Sequence, residues 1–209
     1  DYNISSIISM SDSGGSTGVL RREFDILPPG DVRRAVIALS REHELVKQLF
    51  EYRYDKDSSV SGHVIGNLLI TAMADVSGSF EKWLKQICKL FKVKWRVIPV
   101  TLEKSDLEVE LEDGTRVFWE TNVDEANYDT SKCIVQARLI PEVSANPRAI
   151  KALKKSDLII LTFGDIYTSL IPNLLANGIA EAICESDAKV VYFTNLMTKK
   201  WESTKSDNH

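Results

Sequence analysis

The stretch SMSDSGGSTGVLRREFDILPPGD, Ser9 to Asp31, decides the fold reading. It follows a short apolar run, Ile4–Met10, which alternates apolar residues with serine and contains Ile7-Ile8, the pattern of a strand with a buried face. Four glycines, two adjacent prolines and an arginine pair then interrupt the apolar pattern, which predicts a flexible polar loop. Such a loop at a strand mouth is a surface turn, a linker or a phosphate cradle. The flanking pattern narrows the choice.

Downstream of Gly30, residues Val32, Ala35, Val36 and Leu39 recur at helical spacing, with Asp31 placed to cap the helix. Helical stripes follow at 45–52 and 64–76. From Ser79 another helix carries Phe80, Trp83, Leu84, Ile87 and Phe91 inward, a core face rather than a stacking platform. Trp95–Val100 returns to strand. DLEVELEDGTRVFWE is a hairpin signal around Asp113-Gly114, and a further strand reaches Ile140. Pro147 suits the first turn of a short helix. The last third reads strand (158–163), loop, helix (168–184) and strand (189–194). These short apolar strands suit a parallel sheet covered on both faces. The expected fold is α/β: a Rossmann-like, three-layer, doubly wound and mostly parallel sheet. One domain spans residues 1–209, with a small antiparallel insertion at about 106–140.

Bulk properties exclude several function classes. With 209 residues, 44% hydrophobic, the chain can bury one good core, and a net charge of −4 gives no broad footprint for nucleic acid. No apolar run approaches the roughly 20 residues of a spanning helix, and Asp1-Tyr2-Asn3 leads into a strand pattern rather than a secretory signal. A cytoplasmic protein is expected. Three scattered cysteines form no CxxC and no metal spacing. Cys88 and Cys184, within apolar helical patterns, read as small core residues.

Ligands of doubly wound sheets bind beyond the carboxyl ends of the strands. Three polar, small-residue loops stand at such ends: Asp12-Ser13-Gly14-Gly15-Ser16-Thr17, Gly164-Asp165-Ile166-Tyr167-Thr168-Ser169, and the segment from Thr194-Asn195 to Thr198. Successive amides in such loops form anion nests, and Thr168-Ser169 sit where a helix start would offer free N–H groups. The first loop lacks the Gly-Lys-Ser/Thr of a Walker A motif, and GxGxxG does not occur. Asp12 is placed either to grip a ribose hydroxyl or to form an Asx turn. Of the flanking arginines, helical geometry lets at most one of Arg33 and Arg34 point inward, and Arg33 is the candidate phosphate ligand. His63 and Asn67, one turn apart at a helix start, are candidate polar handles, although a histidine there more often caps or packs. The aspartates Asp12, Asp31 and Asp165 show no metal-ligand spacing, so a site for Mg²⁺ is neither required nor ruled out.

Four blocks carry a resemblance: SDSGGSTGVLRREFDILPPGDVR, SGHVIGNLL, DIYTSLIPNLLANGIAEAI and VVYFTNLMT, in this order and spacing. Together they resemble the CofD-like family, and most closely its bacterial YvcK-type branch of gluconeogenesis factors, also classed as UPF0052. The resemblance implies a Rossmann-like nucleotide-binding domain. In the YvcK branch it implies binding of UDP-N-acetylglucosamine and control of carbon flux, cell-wall synthesis and cell shape. The CofD branch implies transfer of phospholactate onto a deazaflavin. The implied ligand contacts are the first loop from Asp12 to Thr17, with Asp31, Arg33, His63 and Asn67. Gly164, Asp165, Tyr167, Thr168, Ser169, Asn173, Asn195 and Thr198 complete the set.

This chain departs from the family pattern at particular places. It has Asp12-Ser13 where the family has two aspartates, and Val19 where it has arginine. Residues 162–169 replace a Gly-Pro-Gly-Ser-Leu-Tyr-Thr-Ser loop, placing Phe163 and Asp165 where small residues are usual, and Met197-Thr198-Lys199-Lys200-Trp201-Glu202-Ser203 replaces Met-Thr-Gln-Pro-Gly-Glu-Thr. The family's opening strand with its Gly-Gly-Gly-Thr-Gly loop, and its C-terminal portion, have no counterpart in the 209 residues. The expectation is a non-catalytic nucleotide-sugar binder that regulates metabolism and requires no cofactor. A phospholactate transferase is the alternative; Ser13 counts against it, because metal-assisted phosphoryl chemistry uses clustered carboxylates. A degenerate scaffold for a protein partner is a third reading, and oligomerisation stays open.

Overall fold

In the computed structural model, which describes residues 2–55, 58–162 and 164–195, the chain divides into two compact units, Asp1–Leu102 and Glu103–His209. The class is the mixed α/β one expected, with parallel strand pairs and a small antiparallel sheet.

In the first unit, β1 (Ser5–Ile8) pairs in parallel with β2 (Arg96–Pro99), Ser5 opposite Arg96 and Ile8 opposite Pro99. Five helices lie between them in sequence: α1 (Gly15–Phe24), α2 (Gly30–Ala38), α3 (Glu44–Glu51), α4 (Ile65–Ser77) and α5 (Phe80–Leu90). The 3.6-residue spacing places Val32 and Val36 of α2, Ile70 of α4 and Trp83, Leu84 and Ile87 of α5 inside, with Val97 and Ile98 of β2. Phe50 and Phe91 pack with ring centroids 4.4 Å apart and planes tilted by 46°.

The loop expected through Ser9–Asp31 is largely a helix. Gly14 is extended and Gly15 has φ +43°, which turns the chain out of the strand direction, and α1 then runs to Phe24. Glycine density concealed α1, yet Leu20 is 1% exposed and supplies its core contact. Asp31 is not a cap. Pro29 holds the N-cap position of α2, and Asp31 lies in the first turn, paired with Arg34 at 3.2 Å.

In the second unit, β3 (Asp106–Leu111) pairs antiparallel with β4 (Arg116–Phe118) and β5 (Ile134–Ile140), in the order β4-β3-β5. Gly114 at φ +83° makes the β3–β4 turn. The short α6 (Glu120–Asp124), which no periodicity announced, follows β4. Leu107, Val109, Leu111, Val117 and Val123 form one apolar cluster, with Tyr128, Ile134, Ala137 and Tyr167 packed against it. Arg138 bridges Glu108 and Glu110 at 3.2 and 2.8 Å.

Beyond this sheet, α7 (Pro147–Lys154) is capped by the Asn146 side chain. Strand β6 (Leu158–Leu161) runs parallel to β7 (Lys189–Tyr192). The single helix expected over 168–184 is three pieces: a π-helical turn (Ile166–Leu170), α8 (Ile171–Leu175) and α9 (Ile179–Cys184). Gly178 at φ +101° marks the break before α9. Cys184 is exposed at the end of α9, not a core residue, and Cys88 is half-buried.

Candidate functional site

The C-terminal end of β1 leads into Ser9 and Ser11, which are buried and hydrogen-bonded to each other at 2.9 Å, and then into Asp12. Asp12 makes the Asx turn. Its Oδ1 accepts the Gly14 N–H at 2.9 Å, and Arg21 Nη1 holds its carbonyl at 3.0 Å. That turn launches α1, whose first amides, at Gly15, Ser16 and Thr17, have no acceptor within the helix. No side-chain cap and no acid occupy its first turn. The first turn therefore keeps the partial positive charge of the helix end.

Polar groups of α1, of α4 and of the residues just ahead of α4 gather around this turn. Ser16 Oγ lies 3.2 Å from His63 Nδ1 and accepts from the Val64 amide and Asn67 Nδ2, each at 3.4 Å. Asn67 Nδ2 also reaches Thr17 Oγ1 at 3.5 Å. Asn67 is 2% exposed, yet its Oδ1 has no partner. Gly30 opens α2 hard against the turn: a Cβ there would lie 2.5 Å from both Asp12 Oδ2 and Thr17 Oγ1. Gly66 does the same for α4, since its Cβ would meet the Phe50 carbonyl at 2.4 Å and Arg33 Cδ at 2.6 Å.

Arg33 is 6% exposed, and its Nε–H is buried with no acceptor, whereas Arg34 is exposed and paired with Asp31. Burial, reinforced by the neighbouring Arg34 charge, pulls the Arg33 pKa down. Burial, and next the charge of Asp12, push the Asp31 carboxyl up to about 6 against the pull of Arg34 and Arg33. Arg53 is a cation that sequence reading missed. Its Nη1 lies 4.0 Å from where a Gly15 Cβ would stand, and it donates to the Gly62 carbonyl at 2.6 Å. Nothing in its local sequence marks it; the turn between α3 and α4 brings it there.

In the second unit the loops after β6 and β7 meet, because Asn195 Nδ2 donates to the Gly164 carbonyl at 2.9 Å. Thr168 is buried. The Ser169 amide is not free as expected, since it donates to the Asp165 carbonyl at 2.9 Å in the π-helical turn. Tyr167 packs on the β3–β5 cluster, and Asn173 Nδ2 donates to the Ser169 carbonyl at 2.9 Å. Thr198 and Phe163 lie outside the described residues. The same unit holds a groove of about 490 Å³ lined by Arg116, Phe118, Trp119, Asn122 and Tyr128, where sequence reading placed nothing.

Among the described residues no group of three or more His, Cys, Asp or Glu side chains is arranged to hold a metal, and no helix is long and apolar enough to cross a membrane. Asp12 and Asp31 are two carboxylates at this turn, and each feels the charge of the other.

The cradle coincides with the first of the four sequence blocks. A family model described as 2-phospho-L-lactate transferase CofD matches residues 1–209. The chain belongs to the CofD family. Among its CofD-family relatives, a gluconeogenesis factor of Halalkalibacterium halodurans is 39% identical over 202 residues, covering 96% of this chain and 62% of its own length. The gluconeogenesis factor of Bacillus subtilis is 37% identical over 202 residues, again 96% of this chain and 62% of its own. A Nostoc protein carrying the same name provisionally is 43% identical over 202 residues, 96% of this chain and 43% of its own. A crystal structure of a Bacillus halodurans protein matches with a TM-score of 0.89 at 39% identity, over 95% of this chain and 63% of that one. A second structure from that organism, described as a member of the UPF0052 family, matches with a TM-score of 0.85. The chain thus spans less than two thirds of the length of these relatives.

Proposed function

We propose that this CofD-family chain binds a nucleotide sugar such as UDP-N-acetylglucosamine without turning it over, and acts as a regulator of gluconeogenic carbon flux, cell-wall synthesis and cell shape. The observation that carries the binding reading is Arg33: a guanidinium almost wholly removed from water, with its Nε–H lacking an acceptor. The charges of Glu51 and Asp12 act on this guanidinium, yet its Nε–H stays a buried donor without an acceptor, which is unfavourable and which an anion oxygen would satisfy. The open amides of α1 supply further donors, and Asp12, Thr17 and Gly30 close the base of the cradle. The regulatory part of the reading rests on the relatives, which carry the name gluconeogenesis factor. The sequence-derived contacts Gly164, Asp165, Tyr167, Thr168, Ser169, Asn173 and Asn195 belong to the second unit and are proposed as further ligand contacts.

A thermal-shift panel with UDP-N-acetylglucosamine, GDP and NAD, each with and without Mg²⁺, tests the reading. At a hundredfold excess over Kd, a binder is stabilised by about 2.7 kcal/mol. Stabilisation by the UDP-sugar independent of Mg²⁺ is expected. No shift with any nucleotide overturns the reading, and Mg²⁺-dependent turnover of a phosphorylated acceptor transfers it to the CofD transferase class.

A further inference from the structure

The hydroxyl of Ser16 has one hydrogen to give and two lone pairs to share. The Val64 amide can only donate, and it occupies one lone pair at 3.4 Å; Asn67 Nδ2 occupies the other at 3.4 Å. With Asn67 Nδ2 turned toward Ser16, the remaining contact, His63 Nδ1 at 3.2 Å, receives the hydroxyl hydrogen; an Asn67 amide turned the other way would reverse that direction. A ring nitrogen that accepts carries no proton, so the imidazole is neutral and its hydrogen stands on Nε2. Ser16 is itself buried, and the bonds that fix it come from two positions of the α4 start, so its hydroxyl is not free to reorient. Among the described residues no other hydrogen bond to the ring of His63 is present, which leaves Nε2–H as the group it presents.

We infer that Ser16 is a positioning residue that holds His63 as the Nε2–H tautomer, so that the ring serves the cradle as a hydrogen-bond donor and not as a base. The inference takes from the proposed function only the identity of the acceptor, an oxygen of the bound anion; the tautomer belongs to the ligand-free protein. It also separates binding from chemistry. A neutral ring whose lone pair is occupied by a serine hydroxyl cannot abstract a proton at that nitrogen.

Long-range proton–nitrogen NMR of the uniformly ¹⁵N-labelled chain at about pH 8 reads both ring nitrogens directly, with His63 assigned by loss of its signals in His63→Gln. The expected result is a pyridine-type Nδ1 and a pyrrole-type Nε2 in the ligand-free protein, and averaged or reversed shifts in Ser16→Ala. A pyrrole-type Nδ1 in the wild-type chain overturns the inference, and this measurement stands even if Ser16→Ala does not fold. An unchanged tautomer in a folded Ser16→Ala variant overturns the role of Ser16. The expected tautomer in a chain that binds no nucleotide sugar leaves this inference upheld and overturns the cradle reading instead.

Discussion

Arg33 and Asp31 sit two residues apart on α2 and respond to burial in opposite senses, the arginine losing basicity and the aspartate losing acidity. For Asp31 the consequence is a pH dependence of known sign. Its folded pKa of about 6 stands above the ordinary 3.8 of an exposed aspartate, so between these values the folded state retains a proton that the unfolded state has lost. Stability contributed by this group is full below pH 4 and declines as the pH rises through 6. With the side chain about a third exposed, solvent screening reduces the effect to roughly 1–2 kcal/mol. Urea unfolding at pH 4.5 and pH 7.5 should show that decline in the wild-type chain and a flatter profile in Asp31→Asn. A second residue-scale case is Arg138, which neutralises Glu108, itself 4% exposed. Arg138→Met leaves that carboxylate buried without its cation and should destabilise the second unit by about 2–4 kcal/mol in a denaturant titration.

At the scale of elements, the packing of α1, α2 and α4 depends on glycines that carry no side chain into tight approaches. Gly66→Ala gains up to about 1 kcal/mol of helix propensity but drives a Cβ into the Phe50 carbonyl, a backbone atom that cannot swing aside. Overpacking of this kind costs about 1–3 kcal/mol, so a net fall in Tm is expected by calorimetry. At Gly30 the obstructing atoms are the Asp12 and Thr17 side chains, which can move. Gly30→Ala should therefore retain the fold while weakening ligand affinity, read by titration calorimetry. The same glycines explain what the sequence hid. The periodic segments α2, α4, α5 and the β3–β4 hairpin lay where their apolar spacing put them. Helix α1 did not, because Gly14, Gly15 and Gly18 carry a turn signal that tertiary packing of Leu20 overrides. The 168–184 segment read as one helix because its apolar content is continuous, whereas the observed break is made by Gly178 and by the π-helical turn. The site was half legible. Asp12, Arg33, His63 and Asn67 could be named from loop and helix positions. Ser16 could be named with the first loop, but its role as a hub could not, nor could Arg53 be named at all, because both arise only when α1 meets the start of α4.

At the scale of the whole molecule, family membership and the cradle answer different questions. The family model bears the name of a transferase, whereas the curated relatives carry that of gluconeogenesis factors, and this chain matches both. In this chain Ser13 stands beside Asp12, and the cradle sets the donors Arg33 and Asn67 beside two carboxylates, Asp12 and Asp31. In the proposed function Arg33, with its Nε–H buried and unanswered, is the principal contact of the anion. Isothermal titration of UDP-N-acetylglucosamine into the wild-type chain and into Arg33→Met measures this most directly. The methionine fills a similar volume without burying a charge, so the variant should fold with undiminished ligand-free Tm. Loss of a charge-assisted hydrogen bond, roughly 1.5–3 kcal/mol, should weaken affinity about 10- to 100-fold. Equal affinity in the two proteins, or no binding by the wild-type chain, would contradict the account.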